Sequence, residues 1–188
     1  MFADRIESIP TRYNGVEFRS LLEARWACVF DLLGLKWEYE PLELGGDPVG
    51  TGFIPDFLLD VPLYAGPDQE PVRPLLVEVK PVIQPEDYRE PIAKIARSGW
   101  SGAAMVLGCV VREREFMVDE AEYWCGYAHP AVRSFHAEPV SNDWFQAGFQ
   151  RKDEFDKGMF AFGGTFNLVP FWRESSNRTR WKPQKWTF

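Results

Sequence analysis

The short segment Leu75–Val79 (LLVEV) constrains the fold of this chain more than any other feature of its sequence. Its apolar residues are typical of a buried strand, and Pro81 ends it. Because side chains two apart on a strand share a face, Glu78 and Lys80 are expected to point the same way. Charged residues rarely enter such strands without a purpose. The segment therefore predicts a buried strand that carries an acid and a lysine on one face.

The elements predicted around this strand alternate between helices and strands. Apolar residues at 3.6-residue spacing predict a helix over residues 16–33, with Asn14 as its cap and Gly34 as its stop. Pro55 predicts an irregularity in one strand, and Pro91 suits the first turn of the second helix. The remaining predictions are strands at Lys36–Glu40, Phe53–Asp60 and Ala103–Val111, a helix within Pro85–Ser98 and a loop over residues 61–74.

This order of elements, αβββαβ, predicts an α/β fold in which helices flank a central mixed sheet. At 188 residues the chain is long enough for one well-buried core with a small appendage. We assign the core to residues 1–140. Residues 141–188 are rich in aromatic and basic side chains. They are predicted to form either a small β-rich extension or a tail packed back over the sheet.

The composition narrows the class of protein. No stretch of about 18 apolar residues is present, which predicts no membrane span, and the first ten residues lack the apolar core of a secretory signal. We therefore expect a cytoplasmic protein. Its three cysteines form no CxxC pair and only two histidines are present, so a structural zinc site is not expected. A bound metal should have oxygen ligands, as Mg²⁺ and Mn²⁺ prefer.

The charges are divided unevenly along the chain. The net charge is −7, but residues 1–140 carry 13 basic against 23 acidic side chains, and residues 141–188 carry 8 against 5. An overall negative charge argues against attraction to nucleic acid by the whole surface. An acidic body with a basic end is still compatible with binding of nucleic acid, because a carboxylate site repels phosphate only until a metal fills it.

Asp56 supplies a second acid for the face that carries Glu78 and Lys80. It lies in the apolar segment Phe53–Asp60, and a strand there could pair with the strand of Glu78. Two carboxylates on neighbouring strands hold a hard divalent cation well, and the Val79 carbonyl is available as a further ligand. A lysine beside them can orient or deprotonate water and offset negative charge. The alternative is that Glu78 and Lys80 form a surface ion pair on a half-exposed sheet.

The stretches FIPDF and LLVEVK, with 21 residues between Asp56 and Glu78, resemble the signature of the PD-(D/E)XK nuclease superfamily. The segment VEFRSLLEARWACVFDLLGLKWEYEP is similar to small, often phage-encoded members that carry an FRS-x-x-EARWA first helix. The resemblance spans about residues 13–110. It implies a restriction-endonuclease-like core in which Asp56 and Glu78 bind Mg²⁺ and Lys80 assists the water. It also implies that Glu23 is a further acidic residue that reaches the site; the alternative is that Glu23 forms a salt bridge with Arg19.

Several basic and aromatic residues are candidates for contact with nucleic acid. Lys94, on the second predicted helix, could contact a phosphate, or it could be a solvated surface lysine. Near the C-terminus basic residues alternate with tryptophans, a pattern that suits phosphates and unpaired bases. The alternative is that the tryptophans dock this tail onto the core. The candidates in the tail are Arg178, Arg180, Trp181 and Lys182.

These observations together predict a Mg²⁺-dependent deoxyribonuclease, an endonuclease of phage or mobile-element DNA processing. Its predicted partners are DNA, a second copy of the chain in a homodimer, or a larger DNA-processing complex. If the chain is phage-encoded, its place is the host cytoplasm. Two alternatives remain open. One is a catalytically silent nucleic-acid-binding or virion-assembly module with the same fold. The other is the cutting subunit of a transposase or recombinase, since VEVKP is similar to a stretch in the cutting subunit of heteromeric transposases.

Overall fold

A β-hairpin precedes the first helix. The computed structural model describes residues 8–45, 52–61, 63–64, 73–81, 88–116, 120–129, 145–151, 158–162 and 167–180. In it, β1 (Thr11–Tyr13) pairs antiparallel with β2 (Val16–Phe18). The connecting residues Asn14 and Gly15 have φ angles of 49° and 84°, the positive values that a two-residue hairpin turn requires. The prediction of a helix from residue 16 with Asn14 as its cap was therefore wrong, because an Asn-Gly pair adopts this turn readily.

Helix α1 spans Leu21–Leu32. Ser20 caps its start by accepting a hydrogen bond from the Glu23 amide. Gly34, with φ of 69°, follows the helix end as predicted. The helix is fixed to the sheet by Trp26, which is fully buried and donates from Nε1 to the Gly108 carbonyl at 3.0 Å.

The other strands of the described residues form a mixed sheet of eight, in the order β3-β4-β6-β7-β8-β9-β10-β5. Parallel pairs join β6 to β7 and β10 to β5, and the other pairs are antiparallel. The strands are β3 (Trp37–Tyr39), β4 (Phe57–Leu59), β5 (Leu63–Tyr64), β6 (Leu75–Val79), β7 (Ala103–Phe116), β8 (Glu120–His129), β9 (Phe145–Arg151) and β10 (Gly158–Phe162).

The strands predicted on either side of Leu75–Val79 are confirmed, with some changes of extent. β4 begins only at Phe57, after the irregularity expected near Pro55. β5 lies within residues 61–74, which were predicted to be a loop; its two residues pair with β10, a partner too distant along the chain for local pattern to indicate. β7 continues to Phe116, five residues beyond its predicted end.

Helices pack on both faces of the sheet, as predicted. α1 covers the face formed by residues such as Phe57 and Val77. The second helix, α2 (Arg89–Arg97), carries Pro91 in its first turn as expected and packs by Ile95 against Leu76 on the opposite face.

The chain beyond residue 140 joins the same sheet and the same core. β9 pairs with β8, and the third helix, α3 (Val169–Arg178), packs on α1 with the rings of Trp172 and Trp26 4.8 Å apart. The division of the chain at residue 140 stays a prediction. Among the helices of the described ranges, none combines the length and the apolar character needed to cross a bilayer.

Candidate active site

The pairing of β4 with β6 brings the two predicted carboxylates together. Phe57 lies opposite Val77 in this antiparallel pair, so Asp56, directly before β4, is brought beside the end of β6 that carries Glu78. Asp56 Oδ2 also accepts a 2.7 Å hydrogen bond from the Val79 amide. The irregular backbone before β4 thus turns the Asp56 carboxylate onto the end of β6.

Lys80 contacts both acids. Its Nζ lies 2.6 Å from Glu78 Oε1 and 3.9 Å from Asp56 Oδ2. The side chains of Asp56 and Glu78 are only 1% and 2% exposed, and that of Lys80 is 31% exposed. A surface ion pair on a half-exposed sheet does not describe this arrangement, because both carboxylates are buried. Glu78 Oε2 is buried as well and has no hydrogen-bond partner.

Burial and mutual repulsion shape the protonation of this group. Burial, reinforced by the charge of Glu78, raises the pKa of Asp56 to about 7. Burial by itself lowers the pKa of Lys80, but the charges of Asp56 and Glu78 outweigh it, so the pKa of Lys80 lies above its ordinary value. Near neutral pH the site therefore contains a firmly protonated lysine and an aspartate close to its titration point.

Arg19 completes one side of the site and was not predicted from the sequence. Its Nη2 donates to Asp56 Oδ1 at 2.7 Å, and its Nε lies 2.6 Å from Glu40 Oε1. Glu40 has a φ of 48°, a strained value for a residue with a side chain. Its amide donates to the Asp56 carbonyl at 3.0 Å. The signal for Arg19 is weak in the sequence, because 37 residues separate it from Asp56 and it looks like an ordinary surface arginine.

Glu23 is buried in the first turn of α1 and contacts the backbone of Arg19. Its Oε2 accepts hydrogen bonds from the Tyr39 hydroxyl at 2.6 Å and from the Arg19 amide at 3.1 Å. Its Oε1 accepts from the Ser20 hydroxyl at 2.8 Å. The charge of Glu23 contributes to the raised pKa of Asp56, after burial and the charge of Glu78, so the two carboxylates are electrostatically coupled. A direct catalytic role for Glu23 stays a prediction.

The residues present fit a divalent ion held by two protein carboxylates. Asp56 and Glu78 are neighbouring carboxylates that could supply oxygen ligands, and the unpartnered Glu78 Oε2 is a buried acceptor that a cation would satisfy. Within the described ranges, no three His, Cys, Asp or Glu side chains form a set that could hold a metal. Mg²⁺ commonly takes one or two carboxylates and fills its other positions with water and substrate oxygens. The Val79 carbonyl stays a predicted further ligand.

Three of the predicted nucleic-acid contacts lie within the described residues: Lys94, Arg178 and Arg180. Lys94 is half-buried, with its Nζ 4.9 Å from the ring centroid of Phe53. Arg178 is exposed and pairs with Glu174 at 2.8 Å, and Arg180 is exposed after α3. Trp181 and Lys182 fall outside the described part of the chain. The helix that precedes them packs on α1 through Trp172. The docking of the tail by Trp181 and Trp186 lies outside the described residues and stays a prediction.

Comparison with known proteins finds no family model, no curated protein and no solved structure that matches this chain.

Proposed function

We propose that this chain is a Mg²⁺- or Mn²⁺-dependent deoxyribonuclease with a restriction-endonuclease-like core of the PD-(D/E)XK type. The observation that carries the proposal is the convergence of Asp56, Glu78 and Lys80, with Nζ 2.6 Å and 3.9 Å from the two carboxylates. Burying two acids beside each other costs free energy. A functional site explains that cost better than a structural ion pair does, since Glu78 Oε2 has no partner.

Each residue has a distinct task in hydrolysis of a phosphodiester. Asp56 is held by hydrogen bonds from the Val79 amide and Arg19, and Glu78 directly precedes Val79 on β6. These two carboxylates would hold the divalent ion, which when bound supplies a Lewis acid and lowers the pKa of its water. Water adds to phosphorus as the bond to the 3′ oxygen breaks. The proton that the water loses passes to solvent, the departing oxygen takes a proton to become a 3′ hydroxyl, and a 5′-phosphate end remains.

Lys80 supplies the positive charge of the site. Without metal its pKa lies above the ordinary value because of Asp56 and Glu78, so the ammonium keeps its proton at neutral pH. In that state it can donate a hydrogen bond that orients water and offset the negative charge that develops on the phosphate oxygens. A metal held by Asp56 and Glu78 would offset the charges that raise this pKa, which leaves deprotonation of water as the other task for Lys80.

Cleavage of DNA by matched variants tests the proposal. Wild type, Asp56→Ala, Lys80→Ala and Asp60→Ala are incubated with supercoiled plasmid and with single-stranded DNA in Mg²⁺, Mn²⁺ or EDTA. Asp60 is the control, because it follows β4 directly but its side chain is 66% exposed. We expect metal-dependent cleavage by wild type and Asp60→Ala, and a loss of at least a hundredfold in the two site variants. Equal cleavage by all four proteins would contradict the proposal.

If folded wild type cleaves neither the plasmid nor the single-stranded DNA, the two alternative functions are tested next. Restored cleavage in the presence of a partner subunit would indicate a cutting subunit of a transposase or recombinase. DNA binding without cleavage under any condition would indicate a silent binding module.

A further inference from the structure

A groove of about 340 Å³ adjoins the proposed active site along the first turns of α1. Three residues in or next to the site also line the groove: Glu23, Val79 and Lys80. Leu22 and Arg25 extend it along the helix. The volume lies at the lower end of the range for small-molecule pockets, roughly 300–1,000 Å³. The groove is therefore large enough for about one nucleotide next to the lysine of the site.

Arg25 stands in this groove as a cation without a matching acid. One of its terminal nitrogens donates to the Trp172 carbonyl at 3.1 Å, and its Cζ lies 3.8 Å from the centroid of the Trp172 ring. Its Nε is buried and has no hydrogen-bond partner. Among the described residues, no carboxylate lies within ion-pair distance of Arg25.

The environment of Arg25 favours an anion. A half-buried guanidinium without a carboxylate partner is costly, and a phosphate in the groove would supply the missing negative charge. Stacking on Trp172 holds the guanidinium plane in place, which reduces the entropy lost when a ligand binds. The carboxylate in the same groove, that of Glu23, does not compete for Arg25, because Tyr39, Ser20 and the Arg19 amide already hydrogen-bond to it.

We propose that Arg25 binds the DNA phosphate that neighbours the one cut, so that this groove holds one nucleotide and positions the scissile phosphate at Lys80. This inference rests on the proposed nuclease function and names Arg25 as a positioning residue for its substrate. The apolar wall that includes Leu22 contacts the sugar and base without reading the sequence. Arg25 therefore strengthens binding of DNA of any sequence.

The contact between Arg25 and the phosphate is tested by removing the charge of either one. The variants are Arg25→Gln, Arg25→Lys and the control Arg97→Gln, an exposed arginine on α2. The substrates are oligonucleotides with a single methylphosphonate, which carries no charge, placed in turn at each phosphate around the cut. For wild type, one neighbouring methylphosphonate should raise KM roughly tenfold or more with kcat within about twofold, as expected for loss of a charged hydrogen bond.

The combination of variant and substrate decides between positioning and general damage. Arg25→Gln should show the same rise in KM on ordinary DNA and no further rise on that methylphosphonate substrate, and Arg25→Lys should recover part of the loss. The proposal would be overturned if Arg25→Gln and the methylphosphonate raised KM independently, so that their effects multiplied. It would also be overturned if Arg25→Gln had the same KM as Arg97→Gln. The methylphosphonate series on wild type needs no variant, so a folding defect in Arg25→Gln leaves the test valid.

Binding without cleavage separates this inference from the nuclease proposal. Fluorescence anisotropy of a labelled oligonucleotide in Mg²⁺, with Lys80→Ala added to each protein to suppress cleavage, measures affinity while the metal is present. A roughly tenfold weaker affinity for Arg25→Gln than for Arg97→Gln would support the phosphate site even if wild type cleaved nothing. Equal affinities would overturn it even if wild type were an active nuclease.

Discussion

The backbone amide of Val79 donates a 2.7 Å hydrogen bond to Asp56 Oδ2. Val79 lies between Glu78 and Lys80 on the chain, so this single bond fixes the aspartate against both other members of the site. The Asp56 carboxylate is therefore the group that joins β6 to Arg19.

The stability of the metal-free protein should fall as the pH rises through neutrality. The pKa of Asp56 is about 7 in the folded chain against an ordinary value of 3.8, so the folded state holds this proton more tightly than the unfolded state. The stabilising contribution is complete below pH 3.8 and is lost as the pH rises through about 7. Urea denaturation in EDTA at several pH values should show a decrease in the free energy of unfolding on the order of 2–4 kcal/mol from this group.

Replacing Asp56 by Asn isolates that contribution. Asp56→Asn cannot titrate, so its free energy of unfolding should change less between pH 4 and pH 8 than that of wild type. The exposed control Asp60→Asn should follow the wild-type curve. If the free energy of unfolding depended on pH in the same way for wild type and Asp56→Asn, the pKa of Asp56 would not be raised in the folded protein.

The charge of Lys80 should matter more than its ability to exchange a proton. Lys80→Arg keeps a permanent positive charge but cannot act as a base, whereas Lys80→Gln keeps only a hydrogen-bond donor. If Lys80 offsets negative charge, Lys80→Arg should retain at least tenfold more activity than Lys80→Gln, and the rate should not rise with the titration of a lysine. Equal inactivation of the two variants, measured by initial rates between pH 6 and pH 10, would instead favour a base.

Trp172 should contribute strongly to stability. Its ring lies 4.8 Å from that of Trp26 and is almost fully buried between α3 and α1. Trp172→Ala should lower the free energy of unfolding by about 3–5 kcal/mol, and Trp172→Phe by clearly less. Urea denaturation followed by circular dichroism measures both. An unchanged midpoint for Trp172→Ala would mean that α3 is not part of the folded core.

The sequence was sufficient to predict three residues of the candidate site. The segment around Glu78 and Lys80 is a short apolar strand, and a period of two fixes which side chains share a face. Asp56 lies in the adjacent apolar strand, and strands that follow one another along the chain often pair. These are local patterns, which is why they could be read without a structure.

Contacts that depend on distant parts of the chain could not be predicted. Arg19 reaches Asp56 only because the hairpin before α1 ends beside the strand of Tyr39, and nothing local marks that position. The hairpin itself was missed because Phe18 fits the apolar stripe of a helix and is also buried in β2. The Asn14-Gly15 pair is a strong hairpin signal and should have outweighed the helical spacing. The addition of β8–β10 to the sheet depends on pairings that no short pattern encodes.

Binding of Mn²⁺ measured by titration calorimetry tests the central claim most directly, because it does not require the right DNA substrate. Wild type and the exposed control Asp60→Asn should each take up the ion in a saturable manner. Asp56→Asn and Glu78→Gln should remain folded by circular dichroism and lose that uptake. If both site variants bound Mn²⁺ as wild type does, or if wild type bound none, Asp56 and Glu78 would not form the metal site of a nuclease.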